Sequence, residues 1–295
     1  MMYRPRHRSG SRQRFRLGCL LRVLALVVLL VVVGYPFLEP LLLQTEYVTL
    51  TSADLPRDIG TLRIVYLSDI HYGPFLGKGR LEDLVSRVNA LNADLVLLGG
   101  DYANDSDGAI AFFENAPRFR ARIAVCGVVG NHDRTLPESN LPRLEAAMFN
   151  AGVTPLVNEV TQIRMGSGSI YVAGIDDWHN GYPDVKGVAR QVKQGDYVIF
   201  LSHSPAAVSD ALKADSADGR RGWFDLGLYG HTHGGQIAFF GDALNISDVP
   251  RRYQGGWLQE NRIDMLVSRG VGTSVLPIRL FRRPQIHVIT VKAGQ

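Results

Sequence analysis

Residues 122–133 read RIAVCGVVGNHD: a short apolar run, then Gly130-Asn131-His132-Asp133. The run is too short for a helix and rich in β-branched side chains, so it predicts a buried strand. The glycine turn then delivers three polar side chains to the strand's C-terminal end. Leu62–Leu67 (LRIVYL) leads in the same way into Ser68-Asp69-Ile70-His71, and Leu95–Leu98 (LVLL) into Gly99-Gly100-Asp101. Tyr197–Leu201 (YVIFL) runs into Ser202-His203, and Leu226–Tyr229 into Gly230-His231-Thr232-His233. Helical patterns lie between the strands. Leu81, Leu84, Val85, Val88 and Leu91 share one face, and a second helix is expected from about Pro142 to Asn150. Further strands are expected around Pro155–Arg164, Ser169–Gly174, Met265–Ser268 and Gln285–Lys292. The alternation predicts an α/β fold with layered sheets and no separate second domain. In open α/β sheets ligand sites gather beyond the strands' C-terminal ends, where these polar residues fall.

The N-terminus has a different character. Val23–Leu38 is free of charge, and extending back to Leu17 gives enough helix to approach a bilayer's thickness. Pro36, Glu39 and Pro40 are expected to end it. Val32-Val33-Gly34 is a poor cleavage site, so an uncleaved signal anchor is favoured over a removable signal peptide. The sequence thus divides into a basic cytoplasmic stretch (1–16), a transmembrane anchor (17–43), a polar linker (44–59) and one domain (60–295). Seven arginines precede the span, whereas Arg57 and Arg63 alone lie in the first stretch after it. The positive-inside rule then puts the N-terminus in the cytoplasm and the domain outside it.

The same arginines account for the net charge of +4; without them 25 basic face 28 acidic residues. The domain is therefore slightly acidic, which argues against a nucleic-acid partner. Two cysteines, Cys19 and Cys126, exclude a disulfide framework and a cysteine-based zinc site.

Taken singly, Asp-x-His, Gly-Asp or Gly-Asn-His-Asp is an ordinary turn. Five such loops carrying metal-ligand side chains in one chain are not readily coincidental, and five of its eight histidines sit in them. The set Asp69-Ile70-His71, Gly100-Asp101, Gly130-Asn131-His132-Asp133, His203 and Gly230-His231-Thr232-His233 resembles the calcineurin-like metallophosphoesterases over about residues 60–292. Gly230–Ile237 and Val267–Leu280 are similar to a membrane-anchored phosphodiesterase branch that includes UDP-diacylglucosamine pyrophosphatases of lipid A synthesis. The resemblance implies a layered α/β/β/α sandwich holding two divalent ions, with Mn, Fe or Zn favoured by the mixed N/O donors. It implies Asp69, His71, Asp101 and His233 at one ion and Asp101, Asn131, His203 and His231 at the other. It makes His132 the catalytic acid, a role that suits an imidazole.

Asp133 is expected either to orient His132 or to cap the next segment. Family members often carry an acid where this chain has Asn104, leaving Asp105 as a candidate support for His132. Asp177 and Trp178, in Asp176-Asp177-Trp178-His179, are candidates for the substrate rim or for a solvated loop. Arg279, Arg282 and Arg283 are expected to be solvated unless they meet phosphate or lipid headgroups. Gly270 and Gly272 are expected in a positive-φ turn, and Cys126 in the core.

The resulting expectation is a membrane-anchored, binuclear-metal phosphoesterase acting on a phosphodiester or diphosphate, with a lipid-linked substrate favoured by the tether. The alternatives are a general phosphodiesterase or phosphomonoesterase on small extracytoplasmic substrates, a nuclease, and a non-catalytic metal-binding protein.

Overall fold

A computed structural model describes residues 9–135, 140–239, 242–243 and 249–294. Residues 1–8 of the basic N-terminal stretch lie outside the described residues. Helix α1 (Ser9–Leu38) opens the structure. Over Arg16–Leu41, 26 residues, the chain is long and apolar enough to cross a membrane, and its most apolar stretch is not buried against the domain, whereas Glu39 and Pro40 at its end are. At 1.5 Å per residue it spans about 39 Å, more than a hydrocarbon core of about 30 Å. Pro36 does not stop the helix, which continues to Leu38 before a 3-10 turn at Glu39–Leu41. A proline forfeits one intrahelical bond but has a helical φ, so the last turn tolerates it.

The expected linker is corrected by the structure. Gln44–Ser52 forms strand β1, paired in parallel with the last strand from Gln44 opposite Gln285 to Ser52 opposite Ala293. Tyr47, Thr49 and Thr51 are exposed, while Val48 and Leu50 pack onto the core. The sequence looks polar because alternate residues of this edge strand face water.

In chain order follow β2 (Thr61–Leu67), α2 (Lys78–Ala90), β3 (Leu95–Leu98), α3 (Ser106–Asn115), β4 (Ala124–Gly127), α4 (Leu141–Asn150), β5 (Thr154–Pro155), β6 (Glu159–Met165) and β7 (Gly168–Gly174). Then come α5 (Val185–Ala189), β8 (Val198–Ser202), α6 (Val208–Lys213), β9 (Leu226–Tyr229), β10 (Ala238–Phe239), β11 (Asp242–Ala243), β12 (Gly256–Glu260), β13 (Ile263–Val267) and β14 (Gln285–Ala293). One six-stranded sheet has the order β1-β14-β2-β3-β4-β5; the other runs β12-β13-β9-β8-β7-β6. Strands β2 to β5 are mutually parallel, as are β7, β8, β9 and β13.

Strand alternation divides the interior into layers. Leu62, Ile64 and Tyr66 of β2 and Leu95 and Leu97 of β3 meet Ile199, Leu201, Leu226 and Leu228 of the second sheet between the two sheets. Val65, Leu67, Val96 and Leu98 point the other way, onto Leu81, Leu84, Val85 and Val88 of α2 and onto Ile110 and Phe112 of α3. Val198 and Phe200 face outward from the second sheet against α5, α6 and Trp223. The result is the expected sandwich, helix–sheet–sheet–helix. Cys126 belongs to the layer between the sheets. Truncating a side chain there, such as Leu97→Ala, should cost about 2–5 kcal/mol. Because β2, β3, β4, β8 and β9 end on the same side, the loops after them converge.

Candidate metal centre

Those loops are built from backbone that ordinary residues avoid. Asp69, His71, Asp101, His231 and His233 have φ of 52°, 49°, 53°, 68° and 51°. Left-handed backbone costs about 1–2 kcal/mol for a residue with a Cβ, although Asp, Asn and His tolerate it best. Five such residues in one cluster mean that the packed strands below them hold the loops in place. Gly230 shows how tightly: a Cβ there would lie 2.5 Å from Asp69 Oδ2.

The side chains converge. Asp69, His71 and His233 each offer a donor atom within 4.8 Å of the others, and so do Asp69, Asp101 and His203. His71 Nε2 faces His233 Nε2 at 3.1 Å, and His233 Nε2 is 3.5 Å from Asp69 Oδ1. Asp101 Oδ1 accepts the His132 amide at 2.9 Å, which leaves Oδ2 3.6 Å from His71 Nε2 and 3.2 Å from His203 Nε2. One carboxylate oxygen thus lies between the two groups. On the far side His231 Nδ1 sits 2.8 Å from Asn131 Oδ1.

Surrounding groups fix which atoms face inward. His203 Nδ1 donates to the Gly99 carbonyl at 2.8 Å, so Nε2 is the ring atom turned toward the centre. That Nε2 is buried and faces Asp101 Oδ2 at 3.2 Å without a well-aligned hydrogen bond, an arrangement that a cation between the two atoms would satisfy. His71 Nδ1 pairs with Asn104 Oδ1 at 2.9 Å, the outer support typical of a metal-ligating imidazole. Burial holds His71 below its ordinary pKa, His231 down at about 3 and His233 well below 6.5, so these rings are neutral and able to coordinate. Burial also raises Asp69. Burial would lower His203 as well, but contact with Asp101 outweighs it and raises the ring well above its usual value. With protons alone to balance it, the site holds Asp101 in its charged form against burial.

His132 lies at the edge of the same cluster, with a ring nitrogen within 4.8 Å of donor atoms of His71 and Asp101. Its Nδ1 donates to the Asn104 main-chain carbonyl at 3.0 Å, and its ring lies edge-on to His71 with centroids 5.0 Å apart. It is half-buried, whereas Asp69, His71, Asp101, His203 and His233 are buried.

Several expectations about the surroundings change. Among the described residues Asp133 neither orients the His132 ring nor caps the segment after it; it accepts the amides of Asp101, Tyr102 and Gly130 at 2.7–3.0 Å. Burial and then the Asp101 charge push Asp133 up to about 8. Asp105 does not support His132 either: it is the N-cap of α3 and accepts the Gly108 amide at 2.7 Å. Asn104 serves both histidines, His71 through its side chain and His132 through its carbonyl. Trp178 packs on the outer face of the second sheet. Asp177 accepts the His179 and Asn180 amides at 2.9 and 2.6 Å and so shapes a turn. That turn stacks His179 on His231, with centroids 4.7 Å apart, and lets Asn180 Nδ2 donate to the Asn131 carbonyl at 2.8 Å. His179 belongs to the stretch read as a substrate rim or a solvated loop, whereas Asn180 lies outside it.

Arg279 is the largest departure. It is 0% exposed, donates to the carbonyls of Arg269, Gly270, Gly272 and Arg282, and comes within 3.2 Å of His233 Nδ1. Burial lowers its pKa to about 10, still charged at neutral pH. Gly270 has the expected positive φ, 68°, and packs on Asp69. Gly272 is absent from the positive-φ set but approaches the Ile70 carbonyl too closely for a Cβ.

Comparison with known proteins bears on what such a centre does. A family model described as calcineurin-like phosphoesterase matches residues 62–235. An uncharacterized metallophosphoesterase of Bacillus subtilis, YkuE, is 29% identical over 267 residues, covering 88% of this chain and 90% of that protein. A Bos taurus transmembrane protein with metallophosphoesterase domain is 30% identical over 257 residues, 81% of this chain but 55% of the bovine protein. An uncharacterized metallophosphoesterase of Aquifex aeolicus is 27% identical over 278 residues, covering 88% of this chain and 95% of that protein.

Proposed function

The chain belongs to the calcineurin-like phosphoesterase family and is a metal-dependent phosphoester hydrolase, and from that footing we propose that it works at a membrane with two divalent ions on a lipid-linked phosphodiester or diphosphate. The observation that carries the binuclear reading is Asp101 Oδ2, set between His71 Nε2 at 3.6 Å and His203 Nε2 at 3.2 Å. In this reading Asp69, His71, Asp101 and His233 hold one ion, and Asp101, Asn131, His203 and His231 the other. The donor set suits Mn, Fe or Zn. Two such ions supply Lewis acidity, which makes water a competent nucleophile and offsets charge on the phosphate.

The chain's own groups do the rest. His132, with Nδ1 held by the Asn104 carbonyl, has Nε2 available to carry a proton to the leaving oxygen. General acid catalysis of this kind contributes about 10²–10⁴-fold. His179, stacked on His231, and Asn180, bonded to the Asn131 carbonyl, limit movement of those side chains. The five loops after β2, β3, β4, β8 and β9 bury Asp69, His71, Asp101, His203 and His233 away from bulk water.

Membrane attachment is supported by the span at Arg16–Leu41. The excess of arginine before it supports a cytoplasmic N-terminus and an extracytoplasmic domain. A UDP-diacylglucosamine-type diphosphate is the narrower candidate substrate; its cytoplasmic synthesis conflicts with that orientation, whereas a phospholipid diester fits it. The test is a screen of the detergent-solubilised full chain, loaded with Mn²⁺, against mono-, di- and pyrophosphate esters including phospholipids and UDP-diacylglucosamine. The expected result is turnover of a diester or diphosphate that Asp101→Asn abolishes. Turnover of monoesters alone, or of nucleic acid in preference to lipids, would overturn the substrate reading.

A further inference from the structure

The cleft that contains Asp101, Asn131, His132, His231 and His233 is about 440 Å³, and its opposite wall is the loop Ser274-Val275-Leu276. Val275 is 88% exposed and Leu276 52% exposed. Val275 also has a φ of 64°, a true outlier for a β-branched residue. The loop is fastened from beneath by one side chain, Gln236, which is 4% exposed. Its Oε1 accepts the Ser274 amide at 3.0 Å, and its Nε2 donates to the carbonyls of Ser274 and Leu276 at 3.2 Å each. A bare apolar tip in strained backbone, gripped by a buried amide, is a built feature rather than a slack loop.

A second tip is made in the same manner. Phe281 has a φ of 55° and is 62% exposed. Its amide and that of Arg282 donate at 2.8 and 2.6 Å to the buried carboxylate of Glu39, directly after α1. The Arg279 amide donates to the Pro36 carbonyl at 2.9 Å, and the Tyr35 and Phe281 rings lie 6.4 Å apart. The apolar rim of the cleft is therefore continuous with the end of the candidate membrane span. Exposed Arg283 lies two residues after Phe281, a cation near an apolar tip as at a bilayer's headgroup layer.

We propose that Val275, Leu276 and Phe281 dock in the interfacial layer of the bilayer that α1 spans, so that the cleft opens at the membrane surface. The substrate class it then takes is a phosphoester whose acyl chains stay in the membrane beside this rim while its phosphate reaches the centre. The substrate half rests on the phosphoesterase reading above; the docking half does not.

The experiment uses the full chain reconstituted in phosphatidylcholine vesicles with brominated acyl chains. Val275→Trp should add fluorescence that is quenched at least twofold, whereas a tryptophan at exposed Phe149 on α4 should not be quenched. Equal quenching at both positions, or none at Val275→Trp, overturns the docking, including the case in which protein concentration instead shows a second copy on this face. For the substrate half, Leu276→Asp should lower the ratio of vesicle-phospholipid to bis(p-nitrophenyl) phosphate hydrolysis at least tenfold. An unchanged ratio overturns it. Failure of the unsubstituted protein to hydrolyse either substrate would contradict the phosphoesterase reading itself, while quenching would still report on docking.

Discussion

His203 donates through Nδ1 to the main-chain carbonyl of Gly99 at 2.8 Å and thereby sets its Nε2 3.2 Å from Asp101 Oδ2. The carbonyl can only accept, so the ring's orientation is fixed by the loop after β3, in the other sheet, rather than by its own loop. The two sheets must be packed for the pair to exist. Asp101→Asn removes the charge between the two groups of donors. It should cut bound metal to one ion or fewer per chain and lower activity about 10³-fold or more, measured by elemental analysis and turnover on the same sample.

His132→Gln tests the division between holding metal and moving protons. Metal content should stay unchanged while kcat falls about 10²–10⁴-fold. The loss should shrink for a substrate whose leaving group is acidic enough to depart unprotonated. Loss of metal in this variant would make His132 a ligand.

Adjacent residues Asn104 and Asp105 should separate cleanly. Asp105→Ala removes the cap of α3 and should cost about 1 kcal/mol of stability with metal affinity retained. Asn104→Ala removes the support of His71 Nδ1 and should weaken metal binding about 10–100-fold. Denaturation midpoints and a metal titration on both variants distinguish the two effects.

Much of this centre is legible in the chain, since Asp69, Asp101, Asn131, His203 and His231 each follow an apolar run closely. A strand's end is a local signal, and the sheets then bring those ends together. What was not legible depends on partners remote in sequence. Arg279 sits in Ile278-Arg279-Leu280-Phe281-Arg282-Arg283, which looks like solvated surface charge. Its burial depends on the carbonyls of Arg269, Gly270 and Gly272. Glu39 looked like a helix stop, yet its carboxylate holds amides at Phe281 and Arg282. Asp133 adjoins His132 but points to other amides, because consecutive turn residues project in different directions.

Arg279→Ala should be among the most damaging changes away from the ligands themselves. It removes the donor shared by four carbonyls, of which only that of Gly270 keeps another, the Gln285 amide, and it loosens His233, so a loss of about 3 kcal/mol or more is expected. Arg279→Lys cannot reach all four carbonyls and should fall between the two. Thermal unfolding of the detergent-solubilised proteins measures this.

Asp225 gives the stability its own pH dependence, away from the metal residues. Burial, followed by the Asp54 charge, raises its pKa to about 7 from an ordinary 3.8. The folded state therefore binds the proton more tightly than the unfolded chain. The stabilisation is full below about pH 4 and is lost as pH rises through about 7. The urea midpoint should fall between pH 5 and pH 8 more steeply than in Asp225→Asn, and equal slopes would contradict the assignment.

The most direct test of the central claim is stepwise return of Mn²⁺ to chelator-stripped full-length protein while hydrolysis of bis(p-nitrophenyl) phosphate is followed. A binuclear centre built on Asp101 predicts negligible activity in the stripped protein, and full recovery only as the second equivalent binds. Full activity without metal, or saturation at one equivalent, would contradict it.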